Sequence, residues 1–278
     1  MEDRELKALV ADTGRELLKR GLVARTWGNI SVRRDDKRFA ISPSGLGYEN
    51  MQADDVPIYD MESETWTGER KPSSEKKIHA AAYRMYPEVN FVIHTHQDYA
   101  TAVGLVGVKE LLLSEDEKEL LGRVSVAEYG LPGTKKLAEN VAAALRDSKV
   151  ILMAHHGALI LGSDRDDAMK KAEALEKACK RAVQLRIGDE TDKDVAPFRA
   201  QLDDMAQMIG PKYSPAAVSK VREGLGKDDL EALELLIRKA LISKEYTKAA
   251  GVQGNLSLFD CLLMRSVYKL KYSKQKDK

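Results

Sequence analysis

Residues 149–162, KVILMAHHGALILG, hold two apolar runs on either side of a His-His-Gly turn. They read as two short strands. VNFVIHTH at 89–96 reads as a third, buried strand, and RVSVAEYG at 123–130 as another. Earlier in the chain, GNISVRRDDKRFAIS at 28–42 has two alternating apolar segments around Arg34-Asp35-Asp36-Lys37, the pattern of a hairpin. SPSG at 42–45 and GYENMQADDVPIYD at 47–60 supply turn chemistry followed by another short strand. Helical spacing fills the intervals between strands. Leu6, Leu9, Val10, Leu17 and Leu18 precede a stop at Gly21, and PSSEKKIHAAAYRMYP at 72–87 has Ser73 or Ser74 as its expected N-cap. HQDYATAVGLVG, GTKKLAENVAAALRD and the long DRDDAMKKAEALEKACKRAVQLR, with Ser163 as its expected cap, complete the set. Strands interspersed with helices predict an α/β fold, three layers deep, with helices on both faces of a mixed central sheet.

The pattern changes after Gly188. Residues 189–278 contain helical segments such as DDLEALELLIRKALIS and no convincing buried strand, so the expected division is an α/β domain at 1–188 and a helical C-terminal extension at 189–278. GNLSL at 254–258 echoes GNISV at 28–32, a match too short to mark a repeat. The basic tail KLKYSKQKDK reads as a solvated end. Across 278 residues the formal net charge is +1, which gives no global attraction to nucleic acid or to an anionic membrane surface. No stretch approaches the roughly 18–20 apolar residues of a membrane-spanning helix. The charged first twenty residues lack the apolar core of a signal peptide. Two distant cysteines, Cys179 and Cys261, make a disulfide framework improbable. A soluble, cytoplasmic protein is expected.

The chain has five histidines, and His94 and His96 lie two apart at the end of an apolar run. Side chains at that spacing on a strand share a face, with Cα atoms about 6.5–7 Å apart, so two imidazoles can converge on one metal ion. A hydrogen-bonded pair at a strand end is the plainer reading of these two alone. His155 and His156 follow the strand VILMA, and adjacent strand residues face opposite ways, so one of them joins the pair. Three nitrogen ligands with an open fourth position describe a catalytic metal site. His79, four residues after Glu75 on the expected helix, reads as a packed or supporting histidine. Glu75 is the carboxylate best placed for acid–base work. Ser73 and Ser74 stand at the start of that helix, where backbone N–H groups favour an anion.

GNIS at 28–31, SPSG at 42–45, PSSE at 72–75, HTH at 94–96 and HHG at 155–157 occur in the order seen in the class II aldolase/adducin family. Over roughly residues 1–188 the chain resembles that family. The resemblance implies a divalent ion, most often zinc with manganese, cobalt or iron as substitutes, at a subunit interface of a homotetramer. Its ligands would be His94, His96 and His156. Glu75 would be the catalytic acid/base, and Gly28, Asn29, Ser44, Gly45, Ser73 and Ser74 would hold a sugar phosphate. None of these six is basic, so backbone, hydroxyl and helix-terminal donors would carry the phosphate. The implied reaction is cleavage of a small ketose 1-phosphate to dihydroxyacetone phosphate and an aldehyde through an enediolate. Glu75 would protonate the enediolate carbon, and partial burial should raise its pKa to suit that task.

The match departs from the family in one interval. The family's aldolases carry a tyrosine, donated across a subunit interface, between the HxH strand and the next. Here GLVGVKELLLSEDEKELLGRV at 104–124 has none, and Tyr129 comes later. Glu115-Asp116-Glu117 reads as a solvated face and not as a replacement. Other branches of the family are the alternatives. Decarboxylases of phosphorylated keto acids share most of these motifs. The epimerases usually carry Asp where Glu75 stands, and the dehydratases carry an acidic motif not found here. A non-catalytic adducin-like scaffold would be expected to lose the ligands that this chain retains.

Overall fold

The computed structural model describes residues 2–23, 28–106, 111–130, 132–154 and 156–188. The proposed helical extension, Cys261 and the GNLSL echo lie outside the described residues. Eight strands form one sheet: β1 (Asn29–Arg33), β2 (Arg38–Ile41), β3 (Ile58–Asp60), β4 (Trp66–Thr67), β5 (Phe91–Thr95), β6 (Val124–Ala127), β7 (Val150–Met153) and β8 (Gly157–Gly162). Their spatial order is β4-β3-β2-β1-β5-β8-β7-β6. Every neighbouring pair is antiparallel except β6 and β7, which makes the sheet mixed as expected. The two-residue edge strand β4 and the 3-10 turn Ala53–Asp55 have no counterpart in the sequence reading.

Six helices cover the sheet: α1 (Asp3–Lys19), α2 (Lys76–Met85), α3 (Asp98–Val106), α4 (Glu115–Leu121), α5 (Lys135–Ala144) and α6 (Arg165–Gly188). Strand alternation assigns each face its own apolar layer. Ile30, Val32, Phe91, Ile93, Ala158 and Ile160 pack with residues of α1, α3, α4 and α6. Val92, Ile151, Met153, Leu159 and Leu161 pack with Ile78, Ala82 and Tyr83 of α2 and Leu137 and Val141 of α5. The result is the three-layer α/β/α arrangement, with β5 and β8 buried along their whole length between the layers. No helix among the described residues is long and apolar enough to cross a membrane.

Two caps differ from expectation. The residue before α2 is Glu75, not a serine, and Ser73 Oγ instead accepts a hydrogen bond from the Glu75 amide at 3.2 Å. At α6 the side chain of Asp164 accepts from the Asp167 amide at 2.9 Å, so Asp164 and not Ser163 fills the capping role. The acidic run at 115–117 forms the first turn of α4 behind a Ser114–Glu117 capping box. Glu115 and Asp116 are exposed, as a solvated face requires, while Glu117 is paired with Arg181.

The hairpin between β1 and β2 is closed by Asp35. Its Oδ1 accepts from the amides of Lys37 (3.0 Å) and Arg38 (2.9 Å), and its Oδ2 accepts from Arg34 and Arg38. Burial in the turn pushes this carboxyl up, but Arg38, the two amides and Arg34 outweigh it and hold the pKa at about 2, against an ordinary 3.8. A folded value below the unfolded one gives stability that is present above about pH 4 and lost as pH falls through about 2. Asp35→Asn should therefore cost about 1 kcal/mol near neutral pH. Denaturant melts of both proteins should show the gap closing as pH falls from 4 towards 2; a gap that stays constant over that range contradicts this account.

Candidate active site

The ends of three adjacent central strands meet under α2. The register pairs Asn29 of β1 with His94 of β5, and His94 with Leu159 of β8. On β5, His94 shares the face of Val92 and so points towards the α2 layer. The β7–β8 turn brings in His156, whose amide donates to the Met153 carbonyl at 3.0 Å. Glu75 arrives from above, at the residue preceding α2. One ligand atom each from Glu75, His94, His96 and His156 lies within 4.8 Å of every other.

The distances within the cluster are short and nearly equal. His96 Nε2 is 3.0 Å from His94 Nε2, Glu75 Oε2 is 3.2 Å from His94 Nε2, and Glu75 Oε1 is 3.3 Å from His156 Nε2. Two donors bonded to one tetrahedral zinc ion stand roughly 3.3 Å apart, so this set could hold a divalent cation. His94 Nδ1–H donates to the Ala158 carbonyl at 2.9 Å, which leaves the Nε2 lone pair facing the cluster. Glu75 Oε1 is buried without a hydrogen-bond partner, and so is His156 Nδ1 among the described residues. A buried carboxylate oxygen left in this state is costly unless a cation satisfies it. The donor set therefore fits a metal.

Electrostatics correct one expectation. Burial is the largest single influence on Glu75 and pushes its carboxyl up, but His94, His156 and His96 together pull it further down, below the ordinary carboxylate range. Glu75 is thus an ionised acceptor near neutral pH. Burial depresses His156 to about 4, so its ring is neutral and offers a lone pair.

The remaining sequence candidates fall in two places. Turns 42–45 and 71–74 lie side by side, tied by a bridge between Pro43 and Pro72 and by amide bonds from Ser44 to the Lys71 carbonyl and from Ser73 to the Ser42 carbonyl. This brings Ser44, Gly45, Ser73 and Ser74 together; Ser73 is buried and the other three are exposed. Gly133, at the turn before α5, packs against Ser74, a neighbour the sequence reading did not anticipate. Gly28 and Asn29 instead sit at the histidine cluster. The Asn29 amide nitrogen donates to Glu75 Oε2 at 3.0 Å, and its oxygen pairs with His79 Nε2. His79, Ser31 and Tyr83 were not singled out as site residues. They form a buried chain behind Asn29, with His79 Nδ1 2.6 Å from Ser31 Oγ and Ser31 Oγ 2.8 Å from Tyr83 Oη. A signal was present: polar residues two apart on β1 face polar residues four apart on α2.

Two glycines let the backbones close on β5. A Cβ at Gly28, which has φ +81°, would lie 2.5 Å from the His94 carbonyl oxygen, and one at Gly157 would lie 2.2 Å from that of Thr95. Both contacts are far inside van der Waals distance, so either substitution forces the strands apart. Gly157→Ala should cost about 1–3 kcal/mol of stability and weaken divalent-metal affinity by displacing His156 from His94. Thermal melts and a metal titration check this; wild-type values for both would contradict it.

Several known proteins resemble this chain in sequence and fold. The 3-oxo-tetronate 4-phosphate decarboxylase of Haemophilus influenzae is 32% identical over 188 residues, covering 65% of this chain and 88% of that protein. The 5-deoxy-D-ribulose 1-phosphate aldolase of Bacillus thuringiensis is 34% identical over 174 residues, covering 62% and 81%. A solved L-fuculose 1-phosphate aldolase superposes with a TM-score of 0.62 at 30% identity, covering 68% of this chain and 92% of its own. The family model described as Class II Aldolase and Adducin N-terminal domain matches residues 8–183, and the chain belongs to that family.

Proposed function

We propose that this protein is a metal-dependent carbon–carbon lyase that cleaves a small ketose 1-phosphate to dihydroxyacetone phosphate and an aldehyde. The observation that carries the proposal is the buried set of Glu75, His94, His96 and His156, with one carboxylate oxygen left without a hydrogen-bond partner. His94, His96 and His156, with Glu75 beside them, would hold a divalent ion, zinc by the donor set, which when bound would supply Lewis acidity and stabilise enediolate charge. Cleavage breaks the bond between the carbon next to the carbonyl and the following hydroxyl-bearing carbon. The electron pair stays with the carbonyl fragment as an enediolate, and the hydroxyl-bearing carbon becomes the aldehyde as its proton departs. Glu75 begins ionised, so the proton it returns to the enediolate carbon is one it has first accepted during the same turnover. That order replaces a carboxyl already protonated at rest.

The phosphate is assigned to the paired turns carrying Ser44, Gly45, Ser73 and Ser74, close to the start of α2, with the backbone at Gly28 and Asn29 at their inner edge. The proposal also keeps a cytoplasmic homotetramer with sites at subunit interfaces, a catalytic unit at 1–188 and a C-terminal extension at 189–278. Light scattering that gives a monomer would remove the tetramer from it. A second reading is favoured by one observation, the 32% identity to a decarboxylase of a phosphorylated keto acid. Loss of carbon dioxide from such an acid leaves the same kind of enediolate, so the two reactions share a centre and differ in the leaving fragment.

Purified protein should carry, or take up, about one zinc, manganese or cobalt ion per site, and His94→Ala should lose most of it. No affinity for any of these ions would overturn the proposal. Glu75→Gln should retain folding and lower kcat at least about 100-fold; turnover at the wild-type rate would assign the proton to another group. Assay of dihydroxyacetone phosphate and carbon dioxide over a panel of ketose phosphates and keto-acid phosphates separates the two readings.

A further inference from the structure

We propose that His79 is a positioning residue that holds the Asn29 carboxamide in the one orientation able to donate to Glu75. The proposal rests on the assignment of Glu75 as the proton-transfer group and adds the residue that aims it. The donor directions follow from the ends of the chain. The Asn29 NH2 stands 3.0 Å from Glu75 Oε2, a carboxyl oxygen that accepts, and the Asn29 oxygen faces His79. His79 therefore carries its proton on Nε2 and accepts at Nδ1. The hydrogen there comes from Ser31 Oγ at 2.6 Å, so Tyr83 Oη must donate to Ser31 at 2.8 Å. Every bond from Tyr83 through Ser31, His79 and Asn29 to Glu75 runs one way, and one reversed donor would leave two acceptors facing each other.

All five groups are buried, and the Phe39 ring lies against both His79 and Tyr83. Water is thus not at hand to repair a broken link. Burial also holds His79 neutral, with its pKa depressed to about 3. Without the His79 N–H, the Asn29 amide loses one of the two partners that fix it in the orientation that donates. A reversed amide would set its oxygen against the carboxylate and turn Glu75 away from the histidines. The Asn29 side chain is then part of the proton-transfer machinery, and any phosphate contact at this position falls to the backbone.

Two measurements test the inference. Imidazole nitrogen NMR of the zinc-loaded wild type, with the His79 signals identified by their loss in His79→Phe, should show a neutral ring protonated at Nε2. Protonation at Nδ1 overturns the inference whatever the protein's substrate. In steady-state assays on a substrate from the panel, His79→Phe should keep its zinc and its KM within about twofold and lose about 10- to 100-fold in kcat. His79→Gln, whose amide nitrogen can replace the Nε2 donor, should recover most of that loss. If His79 acts through Asn29, the double variant Asn29→Ala/His79→Phe should be no slower than Asn29→Ala alone. A kcat near wild type in His79→Phe, absence of rescue by His79→Gln, or additive losses in the double variant would each overturn it. Lack of turnover by the wild type on the whole panel would defeat the proposed reaction, and the NMR result would still decide the positioning role.

Discussion

The site depends on a match of two repeats between α2 and β1. Four residues of helix rise about 6.0 Å and two residues of strand rise about 6.7 Å. A helix laid along a strand can therefore meet it at every fourth residue against every second one. Here Glu75, His79 and Tyr83 face Asn29, Ser31 and Arg33. Arg33 ends the seam by donating to the carbonyls of Tyr83, Tyr86 and Val89 and lying 4.7 Å over the Tyr83 ring. The Tyr83 and Tyr86 carbonyls sit at the C-terminal end of α2, where a cation is favoured. The helix is thus fixed along the strand by polar contacts at both ends, and Glu75, at its first turn, has little freedom to slide.

That constraint explains how a carboxylate can stay ionised in a buried cluster. Burial alone would neutralise Glu75. It is kept charged by His94 first, and by His156 and His96 beside it. His94, His96 and His156 converge on the same point as the carboxylate, an arrangement that a positive centre between them would satisfy. Charge on Glu75 and metal affinity are consequently one property of the cluster, and a change to either partner is felt by the other.

Much of this was legible in the sequence. The apolar runs that end in HTH and HHG fix two strands, and their histidines could be assigned to one site because strand alternation and the ordered motifs agree. Glu75 is legible on a different ground, as the carboxylate that begins a helix just after PSS, and the ordered motifs point to the same residue. Other features were hidden by reading each motif by itself. Read by itself as a phosphate loop, GNIS conceals that Asn29 and Ser31 form one face of a strand and point at a helix far along the chain. The caps of α2 and α6 were misassigned because several residues at each start can cap, and packing decides between them. The direction of the Glu75 pKa required knowing that three imidazoles outweigh burial, a balance set by distances of about 3 Å that no spacing in the sequence encodes.

The geometry of the histidines is in turn a property of backbone more than of side chains. Gly28 approaches the His94 carbonyl from the β1 side, and Gly157 approaches the Thr95 carbonyl from the β8 side, each closer than any residue with a Cβ could come. The end of β5 is therefore gripped from both neighbouring strands at the residues that flank the metal-binding face. Its position is further fixed by Thr95 Oγ1 donating to the Gln97 side-chain oxygen, and by the Gln97 amide donating at 2.6 Å to the Ala172 carbonyl of α6 in the opposite layer. This clamp holds His94, whereas His156 and Glu75 come from the β7–β8 turn and from the residue before α2, so loop change is tolerated only away from those two segments. Relatives named for decarboxylation and for aldol cleavage fit this division of labour. In the proposed reaction the clamp around β5 would set where enediolate charge is stabilised, and residues outside it would select the fragment that leaves.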